Sequence, residues 1–237
     1  MTWPLRICFS LLVAAPALAA TVTGGVELAD SRDPGVRKRK DYSGVVVWLE
    51  PVIGEAPPAL PRNVQMLQKG KRFTPHILAV PMGTTVEFPN LDPIFHNAFS
   101  NFSGQPFDTG LYPPGTSQRV IFRRDGVVRV FCNIHSTMSA VIVVTRTPWV
   151  AVTTRTGEYR IEGVPPGDYQ MKVFHERAPE TTLKSLERTV VIDREEVSLA
   201  RLRISESGYL EVPHKNKHGQ DYPPAPQEHM VYPGGHR

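Results

Sequence analysis

Three side chains with metal-binding chemistry follow one another at three-residue intervals near the middle of the chain: Cys132, His135 and Met138. A tight loop after a strand can turn all three towards one point. A thiolate, an imidazole and a thioether together favour copper over magnesium, calcium or manganese. Electron-transfer copper centres use one cysteine and two histidines in a trigonal arrangement with a weak axial methionine. The loop therefore predicts a copper site that takes a second histidine from another part of the chain.

His96 is the candidate for this second histidine, because it follows a predicted strand and lies beside the turn signal of Asp92 and Pro93. The alternative is a buried structural cysteine, a common role for that residue, with unrelated histidine and methionine side chains packed nearby. Four donors of the required kinds in a chain of strands make the metal site the better interpretation. The predicted metal ligands are His96, Cys132, His135 and Met138.

The composition is that of a soluble globular protein: of 237 residues, 41% are hydrophobic and 21% are charged. Short strand-like runs separated by proline and glycine turns, with 23 prolines in all, argue against a helical bundle. A formal net charge of +4 is too small to indicate a nucleic-acid-binding protein. The predicted fold class is all-β.

Residues 1–20 have the features of a secretory signal peptide. Arg6 provides the positive start, residues 7–15 are apolar, and Ala-Leu-Ala at 17–19 offers a cleavage site. The apolar run is far shorter than the ~20 residues of a spanning helix, so we expect a periplasmic protein without a membrane span. Cleavage removes Cys8 and leaves Cys132 as the sole cysteine, which excludes an internal disulfide.

Residues 63–144 resemble the cupredoxins of the plastocyanin and amicyanin type. Besides the Cys-x-x-His-x-x-Met loop, the matching segments are Phe73-Thr74-Pro75, residues 83–88 (Gly-Thr-Thr-Val-Glu-Phe) and His96-Asn97. The short ligand loop looks most like that of amicyanin, although Ser136 stands where many relatives have proline.

The resemblance implies a Greek-key β-sandwich that binds copper through the four predicted ligands. It also implies that Asn97 ties the two ligand loops together by hydrogen bonding. The function it implies is single-electron transfer with a redox partner protein, rather than catalysis. A basic face could steer a partner with an acidic surface, and its candidates are residues 37–40 with Arg119, Arg123, Arg124 and Arg129. For residues 37–40, a solvated loop is the favoured interpretation.

Residues 154–169 resemble part of the carboxypeptidase regulatory-like domain, a second small β-sandwich. The two strands that normally begin that fold are not directly upstream, but matching segments occur at residues 23–28 and 45–49. We therefore infer that the cupredoxin-like part is inserted into a discontinuous sandwich. The alternative is an independent N-terminal hairpin, which would be marginally stable on its own.

These features predict the following division of the chain: a signal peptide at 1–20, N-terminal strands and a linker at 21–62, a cupredoxin domain at 63–146, a regulatory-like sandwich at 147–210 and a disordered tail at 211–237. We expect His76 to be a packing or surface residue rather than a fifth ligand, and His175 to have a structural role at a domain contact. The tail histidines are expected to be solvated, and these are His214, His218, His229 and His236.

A copper carrier or sensor, in which the second sandwich docks a partner, is the alternative to electron transfer. Carriers of Cu(I) are expected to have methionine-rich tracts, whereas the other methionines of the exported chain are widely spaced: Met66, Met82, Met171 and Met230. A multicopper enzyme needs further paired histidines, and the sequence contains no His-x-His. We therefore predict that the protein is not an enzyme.

Overall fold

The computed structural model of the chain describes residues 19–60, 62–101, 105–210 and 213–223. The predicted signal peptide lies outside these residues, apart from positions 19 and 20. The elements, in chain order, are β1 (Ala20–Ala29), α1 (Pro34–Arg39), β2 (Val46–Pro51), β3 (Asn63–Gln65), β4 (Leu67–Gln68), β5 (Phe73–Thr74), β6 (Ile77–Pro81), β7 (Thr85–Pro89), β8 (Phe99–Ser100), β9 (Phe107–Asp108), β10 (Ser117–Ile121), β11 (Gly126–Phe131), β12 (Ser139–Thr145), β13 (Val150–Val152), β14 (Glu158–Val164), β15 (Gly167–Phe174), α2 (Glu180–Ser185), β16 (Arg188–Ile192), β17 (Glu196–Ser198) and β18 (Leu202–Ser205). The prediction of an all-β fold is confirmed.

Strands from both ends of the chain form two sheets around one core. In the first sheet, β1 pairs antiparallel with β14 and parallel with β17 and β18. In the second sheet, β2 lies between β13 and β15, and β16 pairs with the far side of β15. The segments expected at residues 23–28 and 45–49 thus lie in β1 and, apart from Val45, in β2. Buried side chains from before and after residues 63–145 share this core, among them Val22, Leu49, Ile161 and Met171.

A glycine turn brings β14 against β1. Gly157 has a φ of +81°, and its carbonyl accepts a hydrogen bond of 2.8 Å from the Val26 amide. A Cβ atom at Gly157 would lie 2.1 Å from the Val26 carbonyl oxygen. Both the left-handed backbone and the close approach therefore require glycine at this turn.

Residues 63–145 form the second core, which positions the candidate site. One sheet has the order β10-β7-β3 and another the order β6-β12-β11-β8-β9, while β4 and β5 pair by themselves. Phe88, Phe122, Val130 and Ile142 are fully buried in this core. The antiparallel β11–β12 hairpin runs in register from Gly126 and Val144 to Phe131 and Ser139, so its connection emerges from the centre of a sheet.

The two cores meet through a third apolar cluster, which contains Val46, Val141, Val143 and Phe174. A polar bridge adds to this junction. The His76 ring lies 3.1 Å from the Ser139 carbonyl oxygen through Nδ1 and 2.8 Å from Glu176 Oε2 through Nε2. The hairpin that carries the candidate site is therefore braced by the other core.

His175, the residue after β15, is buried, and its Nε2 lies 2.8 Å from Glu206 Oε1. Glu206 also accepts hydrogen bonds from Arg177 and Ser31. These bonds hold the pKa of Glu206 at about 2, although burial alone would raise it. This network joins the segments that follow β1, β15 and β18, and it gives His175 a structural position.

The sequence predicts a disordered tail over residues 211–237, but residues 213–223 pack against the candidate site. The His214 ring stacks on Phe131 with 4.1 Å between ring centroids. The histidine and tyrosine rings of this segment supply apolar contact area despite their polar atoms. Residues 211–212 and 224–237, which include His229 and His236, lie outside the described residues.

Among the described helices, none is long and apolar enough to cross a membrane.

Candidate metal centre

The connection between β11 and β12 is a tight loop that carries three of the predicted ligands. The Cys132 amide donates a hydrogen bond of 3.1 Å to the Met138 carbonyl, and the Met138 amide donates one of 3.0 Å to the His135 carbonyl. These two bonds fold the loop back on itself. As a result, Cys132 Sγ lies 3.5 Å from His135 Nδ1.

His96 reaches the same point from a different part of the fold. Its backbone forms an isolated bridge with Tyr112, with N–O distances of 2.9 and 3.3 Å. Tyr112 is in turn held by its hydroxyl, which donates to the Phe88 carbonyl at 2.8 Å. The His96 ring is fully buried, and its Nδ1 lies 3.8 Å from Cys132 Sγ.

The three donor atoms have the spacing of a metal-binding set. The nitrogens of His96 and His135 and the sulfur of Cys132 all lie within 4.8 Å of one another. A metal ion bonded at about 2.3 Å to sulfur and about 2.0–2.1 Å to nitrogen separates these donors by about 3.6–3.8 Å at tetrahedral or trigonal angles. The observed sulfur–nitrogen distances of 3.5 and 3.8 Å match this geometry.

Met138 is fully buried and belongs to the same core cluster as Cys132. Its backbone closes the ligand loop from both sides, through its carbonyl to Cys132 and its amide to His135. The loop therefore fixes the Met138 Cα close to the donor set. The role of its thioether as an axial ligand stays a prediction.

Asp92 fixes the orientation of His96, a role that the sequence analysis missed. Asp92 Oδ2 lies 2.8 Å from His96 Nε2. An ionised carboxylate can only accept, so Nε2 carries the proton and Nδ1 presents its lone pair to the metal position. The carboxylate also accepts from the amides of Gly70 and Lys71, at 2.6 and 2.8 Å.

These hydrogen bonds determine the charge of Asp92. Burial would raise its pKa, but the bonds from Lys71, Gly70 and His96 outweigh burial and lower the pKa below its usual value. The sequence contained a usable signal, since Asp92 precedes His96 by four residues in a turn. The backbone donors that stabilise the carboxylate come from a loop more than twenty residues away, and local sequence does not reveal them.

His135 differs from His96 in its exposure. His96 and Cys132 are buried, whereas His135 is partly exposed. Burial, followed by the effects of His96 and Lys71, lowers the pKa of His135, which favours the neutral ring that a metal ligand needs. The residues that precede the two histidines, Phe95 and Ile134, are 51% and 46% exposed. The site therefore reaches the surface at His135, next to apolar side chains.

Asn97 joins the two ligand-bearing segments. Its Oδ1 accepts a hydrogen bond of 2.7 Å from the Asn133 amide, the residue after Cys132. Its Nδ2 donates to Asp108 Oδ1 at 3.1 Å. The residues that follow His96 and Cys132 are thus bonded directly to each other, which fixes the separation of the two ligands.

His76, His175 and His214 lie outside this donor set. Among the described residues, the group of candidate metal ligands contains His96, Cys132 and His135.

Arg119, a candidate for the basic face, pairs with Glu87 at 3.2 Å. The structure instead exposes Lys69, Lys71 and Arg72 in the loop whose backbone holds Asp92. Lys71 of this loop is near enough to His135 to contribute to the lowering of its pKa, and the sequence did not single out this loop.

No family model matches the chain, and no curated protein matches it. Among solved structures, the chain is similar to a purple cupredoxin from Nitrosopumilus maritimus, with 24% identity over 35% of this chain and 99% of that one and a TM-score of 0.32. A reduced amicyanin variant has 18% identity over 35% and 81% of the two chains, with a TM-score of 0.33. A copper-containing nitrite reductase from Thermus scotoductus has 27% identity over 51% and 28%, with a TM-score of 0.34. Because all these TM-scores lie below 0.5, the likenesses do not by themselves assign a family or a function to this chain.

Proposed function

We propose that this protein is an exported type 1 (blue) copper protein that transfers single electrons and is not an enzyme. The observation that carries the proposal is the Cys132–His96–His135 donor set, whose donor atoms lie within 4.8 Å of one another, with sulfur–nitrogen distances of 3.5 and 3.8 Å. A copper ion held by these residues would supply a one-electron couple. The three donors alone also suit zinc; the buried thioether of Met138 is the feature that favours copper.

Each ligand has a distinct part in this proposal. Cys132 supplies the thiolate and a covalent path from the site into β11. His96, locked by Asp92, keeps one ligand fixed in the core. His135 offers a partly exposed ring edge through which electrons can enter or leave.

The fold favours rapid electron transfer because it restricts movement of the ligands. His96 and the Cys132 loop are joined by the bond between Asn97 and Asn133. The loop itself closes a hairpin in the middle of a five-stranded sheet. Packed interiors resist deformation, so the donor positions change little between the two oxidation states.

The surface around His135 suggests the character of the redox partner. Lys69, Lys71 and Arg72 are exposed in the loop beside Asp92. Basic side chains near the exposed ligand would attract a partner with an acidic face and raise the association rate, an effect that salt weakens. We propose an acidic redox protein as the partner.

Copper transport as cargo is the competing proposal, and burial of the donors argues against it. A carrier must release its ion to a partner, which requires ligands that the partner can reach. His96 and Cys132 are both 0% exposed. This burial suits a resident ion better than an exchanged one.

Cyclic voltammetry separates the two proposals. We expect the copper-loaded protein to give a reversible couple, and Met138→Leu to keep copper and shift the potential upwards, because loss of the axial donor disfavours Cu(II). Met82→Leu, at a partly buried position packed against the same core, is the matched control and should leave the potential unchanged. An irreversible couple in the wild type, together with tight Cu(I) binding, would support a carrier instead.

A further inference from the structure

Residues 213–223, here called the C-terminal strap, contact three consecutive residues of the metal-ligand loop. His214 stacks on Phe131, with 4.1 Å between centroids and 23° between ring planes. The Tyr222 hydroxyl donates a hydrogen bond of 2.8 Å to the Cys132 carbonyl. The Lys217 amide donates one of 3.0 Å to Asn133 Oδ1. The contacts are thus centred on Cys132, the proposed thiolate ligand.

Lys217 closes a ring of hydrogen bonds around this part of the site. Besides its amide bond to Asn133, its Nζ lies 2.7 Å from Asp108 Oδ2. Asp108 Oδ1 accepts from Asn97, and Asn97 accepts from the Asn133 amide. The ring therefore runs from the strap through the neighbours of both His96 and Cys132 and returns to the same lysine.

The charges in this ring are stabilised by the bonds they make. Burial would raise the pKa of Asp108, but the hydrogen bonds from Lys217, Asn97 and the Gly110 amide outweigh it and lower the pKa. Lys217 and Asp108 are 30% and 35% exposed, so their ion pair is only partly screened by solvent. The strap is thus attached by charge as well as by packing.

The rings of His214 and Tyr222 pack against each other, edge to face, at 5.1 Å. His214 Nδ1 lies 3.3 Å from both the Lys215 carbonyl and the Tyr222 oxygen. The carbonyl only accepts, and the hydroxyl proton is directed to Cys132, so Nδ1 is the donor to both.

The peptide between Cys132 and Asn133 is consequently held at both ends. Its carbonyl accepts from Tyr222, and its N–H donates to Asn97. Rotation of this peptide plane would change the direction of the Cys132 side chain. With the strap removed, the Cys132 carbonyl would lose its bond from Tyr222, and the bond from the Asn133 N–H to Asn97 would remain.

We propose that the C-terminal strap is a positioning element of the metal centre: through Tyr222 and Lys217 it fixes the Cys132–Asn133 peptide, aims the Cys132 sulfur and shields it from solvent. The purpose of this positioning rests on the proposed copper function. The positioning itself does not, because the contacts concern the protein alone.

The first test uses metal-free protein that begins at Ala20, in which Cys132 is the sole cysteine. An aromatic disulfide reagent is attacked by the Cys132 thiolate, which forms a mixed disulfide and releases a coloured aromatic thiolate. We expect Tyr222→Phe, which retains the ring, to react about five-fold faster, the factor that corresponds to one net hydrogen bond of ~1 kcal/mol. Lys217→Ala should give at least the same acceleration. His218→Ala, an exposed position in the same strap, is the control and should react at the wild-type rate.

Hydrogen exchange of residues 131–138 provides a second measurement that does not depend on the thiol. Faster exchange there in both variants, with exchange in the first core unchanged, supports the proposal and shows that the variants are folded. Wild-type thiol reactivity and exchange in both Tyr222→Phe and Lys217→Ala would overturn it.

A third measurement distinguishes a strap that orients the Cys132 sulfur from one that only shields it from solvent. In copper-loaded protein, a misaimed sulfur should shift the visible thiolate band and the reduction potential in both variants, relative to His218→Ala. An unshifted band and potential would overturn the positioning role even if thiol reactivity rises. If the wild type itself shows no thiolate–copper band, the copper function fails while the metal-free measurements still decide whether the strap holds the loop.

Discussion

Replacing Asp92 with asparagine should disturb the metal centre from outside the donor set. Asp92 Oδ2 accepts from both His96 Nε2 and the Lys71 amide, while Oδ1 accepts from the Gly70 amide. Asparagine keeps one acceptor oxygen and places an NH2 group at the other position. That NH2 group would face a ring N–H or an amide N–H. His96 can relieve the clash by moving its proton to Nδ1, which removes the lone pair needed for the metal.

Asp92→Asn should change two measurable quantities, the metal affinity and the reduction potential. Loss of a partner that orients a metal-bound histidine lowers metal affinity by about 10–100-fold. The carboxylate lies 2.8 Å from Nε2, which places it roughly 7 Å from an ion bound at Nδ1, with a metal–nitrogen bond of about 2 Å. At an effective dielectric constant of about 20, one charge at that distance is worth about 2 kcal/mol. Removing this negative charge disfavours Cu(II), so the potential should rise by roughly 100 mV.

Voltammetry of the copper-loaded proteins and a competition titration with a chelator measure these two effects. Asp125→Asn is the matched control, since Asp125 pairs with Arg146 at the surface. We expect the control to match the wild type in both measurements. An Asp92→Asn protein with wild-type affinity and potential would refute the assignment of Asp92 as the group that orients His96.

Two further predictions concern stability. Both ring nitrogens of His76 face acceptors, and the hydrogen bond to Glu176 is the main cause of its raised pKa. The free energy of unfolding in urea should therefore be higher for the wild type than for His76→Ala. This difference should be fully present below pH 6.5 and be lost as the pH rises through the pKa of His76 in the folded state. An equal difference at pH 5.5 and 9 would contradict this assignment. Gly157→Ala should lose about 1–3 kcal/mol of unfolding free energy because of its strained φ, and more because the new Cβ would contact the Val26 carbonyl. Gly54 also has a φ of +81° but has nothing within 4 Å of a Cβ, so Gly54→Ala measures the backbone strain alone. Equal losses of unfolding free energy in both variants would rule out the close contact.

The ligand loop was predictable from sequence because its chemistry is local. Cys132, His135 and Met138 lie within seven positions, and the hairpin that carries them is marked by β-branched runs on either side. His96 was found through its residue type and the turn before it. In each case the signal lies within a few residues of the side chain concerned.

The parts that were missed depend on contacts between distant segments. Asp92 is stabilised by amides at residues 70 and 71, and the strap reaches Cys132 across ninety positions. A composition rich in proline, histidine and glycine predicts disorder, but it carries no information on the packing of His214 against Phe131 and of Tyr222 against His214. The inference that residues 23–28 and 154–169 belong to one sandwich, by contrast, came from the match of both segments to pieces of one known fold.

The most direct test of a copper–thiolate centre is the visible absorption spectrum during titration with Cu(II). We expect an intense thiolate-to-copper band that saturates at one equivalent, because Cys132 is the only thiolate in the donor set. Cys132→Ser should abolish the band, since a hydroxyl is not a soft anionic donor, while Ser136→Ala in the same loop should retain it. A wild-type protein that binds one equivalent of copper without this band, or a Cys132→Ser protein that keeps it, would contradict the proposed centre.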